Sequence, residues 1–186
     1  MARLVRHRIA AAPSPSRAGP CFRGRPLPEC ESFLLTEVTY AERMNDRSDD
    51  GVHSATGEFG WMRNKNERWA IGAAAFIGIR GSFSTQLRAG SEIRVRRWLA
   101  DGRCLDIASG ALVSGGSSGT KFGGFGQVSY NMLDRFHLTS RWEYTPAPLQ
   151  KAFGWYIGAG FGSKTALIIG GVVGALIGLG ALAFSG

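Results

Sequence analysis

The residues best suited to chemistry lie close together around His137. The run 137–140 supplies a general base and two hydroxyl groups, Thr139 and Ser140, and Glu143 supplies an acid nearby. A nucleophilic hydrolysis site needs a hydroxyl within hydrogen-bond reach of its base and a further group that orients the base. On a strand, however, His137, Thr139 and Glu143 share one face and Ser140 lies on the other. The only hydroxyl beside the base is then a threonine, so we predict no catalytic residues and no enzyme.

Cofactor and metal motifs are missing from the other candidate segments. Gly115–Lys121 ends in a lysine but does not match G-x-x-x-x-G-K-[ST], and the glycines of residues 158–162 recur at the period of a strand face. The histidines His7, His53 and His137 lie far apart, without carboxylates at metal-ligand spacing. We therefore predict no cofactor-binding residues and no metal site.

The formal charge of +8 is concentrated near the start of the chain. The basic residues there, set against the single acid Glu29, are Arg3, Arg6, Arg8, Arg17, Arg23 and Arg25. The remainder is mildly basic and has no basic groove interleaved with aromatic residues, so we expect no nucleic-acid partner. Residues 1–31 are predicted to be a disordered, basic, targeting-like segment. Met1–Ala12 contains no uninterrupted apolar run of about 7–15 residues, as a secretory signal requires; an organelle transit peptide and a misplaced start codon both remain open.

The three cysteines, at positions 21, 30 and 104, have neither CxxC nor metal-ligand spacing. Cys21 and Cys30 flank a segment rich in Pro and Arg and have the option of pairing in an oxidising compartment. We expect them to be unpaired thiols.

Beyond Ser32 the sequence alternates apolar with polar or small residues. In Gln86–Leu99, one face is apolar and the other carries Arg88, Glu92 and Arg94, a pattern that indicates a strand with one dry face and one polar face. The same alternation predicts eight strands, at Phe33–Glu42, His53–Met62, Trp69–Ile79, Gln86–Leu99, Arg103–Ser114, Phe122–Met132, Phe136–Tyr144 and Ala152–Gly162.

The predicted connections alternate between two kinds. Arg63–Glu67, Ala100–Gly102 and Leu133–Arg135 are short and contain the turn-forming residues Asn or Asp. Longer links, polar or rich in glycine, lie between them at Arg43–Val52, Arg80–Thr85, Gly115–Lys121 and Thr145–Lys151. Short turns at one end and longer loops at the other are typical of an antiparallel outer-membrane barrel.

With these features, residues 32–162 resemble the small eight-stranded outer-membrane barrel proteins of Gram-negative bacteria, which have an OmpA-like or OmpX-like barrel. The resemblance rests on the alternation, on the hairpins at Trp61–Trp69 and Trp98–Arg103, and on aromatic strand ends. It implies an all-β fold, an eight-stranded antiparallel up-and-down transmembrane β-barrel, located in the cell outer membrane and in contact with membrane lipid. One departure is that such barrels usually end at an aromatic residue, whereas Phe161 is followed by a further segment.

The aromatic residues favour a barrel with its polar face inside. An eight-stranded barrel has room in its lumen only for side chains, and residues such as Trp69, Trp142 and Trp155 would crowd it, whereas outside they form a lipid-facing band. The face that fills the lumen then includes Glu37 and a predicted polar cluster of Glu58, Arg88, Glu92, Arg94, Arg96, Arg141 and Glu143. The alternative is a soluble, lipocalin-like barrel with its apolar face inside.

The tail from Thr165 to Phe184 is an uninterrupted apolar span, long enough to cross a bilayer as a helix. Gly170, Gly174 and Gly178 recur every four residues and share one helix face, as in the small-xxx-small pattern of closely packed membrane helices. We therefore predict a glycine-zipper-like apolar helix at residues 163–186. Self-association through this face and simple filling of an anchor by small side chains are both open.

The predicted function is that of an outer-membrane β-barrel with a lumen filled by side chains and a structural or interaction role. Its longer loops, Arg43–Val52 and Gly115–Lys121, are expected to carry any binding. One alternative is a lipid-modifying membrane barrel enzyme, which would depend on His137. Another is a soluble β domain that the C-terminal helix anchors to a membrane.

Overall fold

The computed structural model describes residues 20–45, 52–81, 85–116, 119–133, 135–146, 153–162 and 166. Within these residues the chain forms nine strands and one short 3-10 helix at Ala100–Gly102. The strands are β1 (Pro20–Cys21), β2 (Ser32–Arg43), β3 (His53–Asn64), β4 (Trp69–Gly81), β5 (Thr85–Trp98), β6 (Arg103–Gly116), β7 (Gly119–Met132), β8 (Phe136–Tyr144) and β9 (Phe153–Gly162).

Strands β2 to β9 form a closed antiparallel barrel. Each strand pairs with the next along the chain, and β9 returns to pair with β2 from Glu37↔Gly162 to Arg43↔Tyr156. The predicted all-β, eight-stranded antiparallel barrel is confirmed, and every strand begins and ends within three residues of its predicted bounds. The two residues of β1 add a short parallel pairing to the start of β2.

The barrel turns its charged face inward and its apolar face outward. Phe59, Ile77 and Ile93 are 59%, 61% and 64% exposed, whereas Glu58 and Glu92, beside them in sequence, are buried. A period of two places successive side chains on opposite faces, so each strand contributes to both surfaces. This orientation is the reverse of that in a soluble, lipocalin-like barrel.

The two ends of the barrel differ in their connections. Residues 65–68, 99–102 and 133–135 join strands at one end, here called the short-turn end, and residues 44–52, 82–84, 117–118 and 145–152 join strands at the other, the link end. The prediction of a long loop at Gly115–Lys121 was wrong, because Gly116 pairs with Gly119 and only residues 117–118 lie between the strands. Arg80–Thr85 is similarly shortened by the pairing of Gly81 with Thr85.

The segment before the barrel contains a disulfide. Cys21 and Cys30 are bonded to each other, so the expectation of unpaired thiols was wrong. The residues between β1 and β2 form a loop that allows the two strands to pair in parallel. This loop brings the two cysteines together, with their Cα atoms 5.8 Å apart. Asn64 fastens this disulfide loop, residues 21–30, to the short-turn end by donating to the Arg25 and Cys30 carbonyl oxygens at 2.7 and 2.8 Å.

Residues 20–31 therefore differ from the disordered segment predicted from the sequence, whose first nineteen residues lie outside the described part. The predicted helix at residues 163–186, with Gly170, Gly174 and Gly178, also lies outside it, apart from Ala166. The described residues include no helix with the length and apolarity needed to span a membrane.

Candidate functional site

The lumen is filled in layers, beginning with an apolar layer above the short-turn end. Phe33, Met62 and Trp98 form its centre together with smaller buried side chains. The Trp98 indole donates to Asn64 Oδ1 at 2.7 Å, so the polar atom of the largest ring is satisfied. Asn64 also holds the disulfide loop, and this layer is thereby joined to the segment that covers it.

Arg94 lies at the centre of the next layer, the charged layer, which consists of Glu37, Glu58, Glu92, Arg94, Arg96 and Asp106. The Arg94 guanidinium is fully buried and contacts four carboxylates from four strands. Its distances are 2.6 Å to Glu37 and 2.7 Å to Glu92, and it also pairs with Glu58. Inside a protein such charges are tolerated only when they are paired and hydrogen-bonded. Arg94 therefore makes it possible to bury the surrounding carboxylates.

Arg96 joins the charged layer to the apolar layer. Its Nε and Nη2 atoms donate to the two carboxylate oxygens of Asp106, each at 2.7 Å, in a bidentate pair. The guanidinium also lies 5.2 Å from the ring centroids of both Phe33 and Trp98, a distance at which cations are attracted to aromatic faces.

A second arginine group lies nearer the link end. Arg141 is packed between Phe76 and Phe125, with its guanidinium 4.5 and 3.8 Å from their ring centroids. It also lies 2.8 Å from Glu143, which pairs with Arg88 as well. Arg88 in turn donates to Ser54 at 3.0 Å, so this group crosses the lumen from β8 to β3.

The lumen charges balance one another. The buried charged residues of the described chain are Glu37, Glu58, Arg88, Glu92, Arg94, Arg96, Asp106, Arg141 and Glu143. The partly buried Arg80, which lies 3.8 Å from Glu143, supplies the remaining positive charge. With Arg80 counted, the arginines and carboxylates of this set are equal in number, so their formal charges cancel.

The candidate catalytic residues do not form a hydrolytic site. His137 Nε2 is 2.8 Å from Thr39 Oγ1, and Thr139 is hydrogen-bonded to Ser129 at 3.0 Å. Ser140 lies on the outer face, where its hydroxyl accepts from the Trp155 indole at 2.9 Å. Base and serine are therefore on opposite sides of the barrel wall. In the described residues no group of three or more His, Cys, Asp or Glu is placed to hold a metal ion.

Very little open space remains in this part of the lumen. A cavity of about 10 Å³ lies among residues that include Thr139, Arg141, Glu143 and Tyr156. This volume is about that of a single water probe. A substrate or a column of hydrated ions does not fit such a space.

The seven residues predicted for the lumen cluster all lie in the lumen, in two connected groups. Glu58, Glu92, Arg94 and Arg96 belong to the charged layer, and Arg88, Arg141 and Glu143 form the second group, which Arg141 joins to Glu58 at 3.7 Å. The predicted cluster omitted Glu37, Arg80 and Asp106.

A signal for Asp106 was present in the sequence. The turn at residues 99–102 pairs Trp98 with Cys104, and counting outward from it places Arg96 opposite Asp106. Cross-strand neighbours of opposite charge commonly interact.

Comparison with known proteins gives similarity at the level of structure. The chain matches no protein-family model, and it matches no curated protein sequence. It is structurally similar to Ail, an outer-membrane protein of Yersinia pestis. For Ail in a phospholipid bilayer nanodisc the TM-score is 0.44 at 14% identity, covering 69% of this chain and 97% of Ail. For the crystal structure of Ail, the attachment invasion locus protein, the TM-score is 0.41 at 13% identity, covering 70% and 97%.

Proposed function

We propose that this protein is an integral outer-membrane β-barrel with a closed, electrically neutral lumen, which serves as a rigid scaffold for interactions at its link end. The observation that carries the proposal is the inverted distribution of side chains. Among the described residues, nine charged side chains are buried inside the barrel, while large apolar side chains are exposed around its outside. In water this arrangement would be unfavourable on both surfaces. In a membrane, the apolar outer surface contacts the apolar lipid chains.

The outer surface has the features of a membrane band. Its strands are 9 to 14 residues long, against the ~9–11 residues that a tilted transmembrane strand requires. Exposed aromatic side chains lie near both edges of the band, with Tyr40, Tyr144 and Phe153 towards the link end and Trp69 and Phe161 towards the short-turn end. Such rings are enriched at membrane interfaces because they combine an apolar body with a polarisable or polar edge.

The disulfide supports export from the cytoplasm. Structural disulfides persist in oxidising compartments such as the bacterial periplasm and are rare in the cytosol. Cys21 and Cys30 lie at the short-turn end, which faces the periplasm in outer-membrane barrels.

At the link end, the strand ends that carry the two longer links are hydrogen-bonded to each other. Because β9 pairs with β2, residues 44–52 and 145–152 leave the barrel from neighbouring strand pairs. Asn45 connects the two bases, since it accepts from the Trp155 amide and donates to the Phe153 carbonyl oxygen, both at 3.0 Å. The two longer links thus begin from neighbouring positions of the rim, and we propose that they form the interaction surface.

Gel mobility of the full chain tests this proposal. After refolding into detergent micelles, an unboiled sample should migrate as a compact species on an SDS gel and a boiled sample should migrate differently, with β-type circular dichroism before boiling. In planar lipid bilayers the same protein should give no stable channel conductance, since its lumen is filled. A protein that stays soluble and folded without detergent would contradict membrane insertion, and steady conductance would contradict the closed lumen.

A further inference from the structure

In the part of the chain that the structure describes, a shallow apolar depression lies on the outer wall of the barrel. Its lining includes outward-facing residues of three consecutive strands: Thr36 and Val38 of β2, Gly57 and Phe59 of β3, and Ala75 and Ile77 of β4. The cavity volume is about 370 Å³. Ala166, which follows β9, lines the same depression.

The β2 side of the depression is covered, whereas its β3 and β4 side is open. Thr36 lies on the outward face of β2, between the inward-facing Leu35 and Glu37, yet it is only 4% exposed. By contrast, Phe59 of β3 and Ile77 of β4, on the other side of the depression, are 59% and 61% exposed. Ala166 is 3% exposed. Ala166 therefore lies against the outside of the barrel.

We propose that the apolar tail, residues 167–186, docks as a helix along this depression over β2, β3 and β4, within the membrane. The proposal rests on the membrane placement proposed above. Only residues 163–165 separate β9 from Ala166, so the tail begins in the depression and has no length of chain with which to reach the opposite wall first. As a helix of ~1.5 Å per residue, twenty residues extend about 30 Å, the thickness of the hydrocarbon core.

The two surfaces are complementary in size and polarity. On the outward faces of β3 and β4, the depression contains small residues, Gly57 and Ala75, bordered by the larger Phe59 and Ile77. The tail carries Gly170, Gly174 and Gly178 at a spacing of four, which puts them on one helix face with Ala166. In lipid, helices associate by close packing between small residues, since apolar burial alone provides no drive.

Cysteine cross-linking of the full chain tests the proposal. Gly170→Cys is combined in turn with Ala75→Cys and Ile77→Cys, which line the depression on β4, and with Ala73→Cys beside them. Ser109→Cys on β6, two strands away from β4, is the control. All carry Cys104→Ala, and the protein is oxidised in micelles after its heat-dependent gel shift has been verified. At least one β4 pair should form an intramolecular disulfide, mapped by peptide mass spectrometry, in several-fold higher yield than the Ser109 pair.

A matched pair of wall variants makes the test specific. A side chain at Gly57 would meet only the Ile77 carbonyl oxygen, at 3.9 Å, among described atoms, and one at Gly126 would meet nothing within 4 Å. Both Gly57→Leu and Gly126→Leu should therefore leave the barrel folded. Gly57→Leu fills the depression and should lower the cross-linking yield several-fold, whereas Gly126→Leu, on β7, should leave it unchanged.

The possible outcomes separate this proposal from the one on which it rests. Equal yields with Ser109, no cross-link with any β4 cysteine, or no effect of Gly57→Leu would overturn the docking. Cross-links found only between chains would assign the depression to a second copy and would also overturn it. Loss of the heat-dependent shift in the unsubstituted protein would instead refute the membrane barrel itself.

Discussion

Replacing Arg94 with methionine should destabilise the barrel more than any substitution of an arginine on its surface. The Arg94 guanidinium is fully buried and contacts Glu37, Glu58, Glu92 and Asp106. Methionine is of similar length but leaves these carboxylates close together without their shared cation. Breaking a buried ion pair in this way costs about 3–5 kcal/mol. The unfolding equilibrium should therefore shift by about a hundredfold to several thousandfold, at ~1.4 kcal/mol for each factor of ten.

The assay is reversible urea unfolding of the full chain in detergent micelles or lipid vesicles, followed by the heat-dependent gel shift and by tryptophan fluorescence. The control is Arg97→Met on the same strand, because Arg97 faces outward over the Trp69 ring at 5.6 Å and should contribute no more than ~1 kcal/mol.

A rescue variant separates charge from shape. Adding Glu92→Gln to Arg94→Met neutralises the carboxylate that pairs with Arg94 at 2.7 Å and keeps the arginines and carboxylates of the lumen, Arg80 included, equal in number. It should restore most of the lost stability, since well-packed neutral groups can replace buried ion pairs. The reasoning is refuted if Arg94→Met costs no more than Arg97→Met, or if the double variant is less stable than the single one.

Two further predictions concern the disulfide loop and the barrel wall. Cys21→Ser combined with Cys30→Ser should lower the free energy of unfolding by about 2–3 kcal/mol, because the unfolded chain gains entropy when the loop is open. A reductant should lower the urea midpoint of the natural protein by the same amount and leave that of the variant unchanged. A variant that still responds to the reductant would show that the loss of stability does not come from the disulfide. Gly110→Ala should abolish or strongly reduce the heat-dependent gel shift, since its Cβ would clash with the Ser91 carbonyl oxygen. Gly126→Ala should keep the shift, because a Cβ there meets nothing within 4 Å. Equal behaviour of the two alanine variants would show that the close approach at Gly110 is not a constraint.

The strands and the side on which each residue lies were predictable because both follow from a local pattern. In β6, Leu105 and Ile107 were assigned to the apolar face and Asp106 to the polar one, and the structure confirms this assignment. A period of two needs only a few neighbouring residues to be recognised. The turn at Asp101–Gly102 was predictable for the same reason, and both residues have positive φ angles there, 61° and 71°.

The errors arose where composition is compatible with more than one structure. Gly115–Lys121 contains glycine, serine and threonine, which occur in loops and also in the small-residue strands of this barrel. The pairing of Gly116 with Gly119 decided in favour of strands. The bond between Cys21 and Cys30 depends on the parallel pairing of β1 with β2, for which two residues provide no sequence pattern.

The sequence by itself determined that the charged residues share one face of the strands and that this face lies inside the barrel. Which charges meet was decided by the tertiary structure alone. Arg94 and Glu37 are 57 residues apart and lie 2.6 Å from each other across the lumen. Their contact exists only because β9 pairs with β2 and closes the sheet. An alternating pattern assigns each residue to a face, but the strength of an ion pair depends on distance and burial, and in a barrel both are set by closure and strand register.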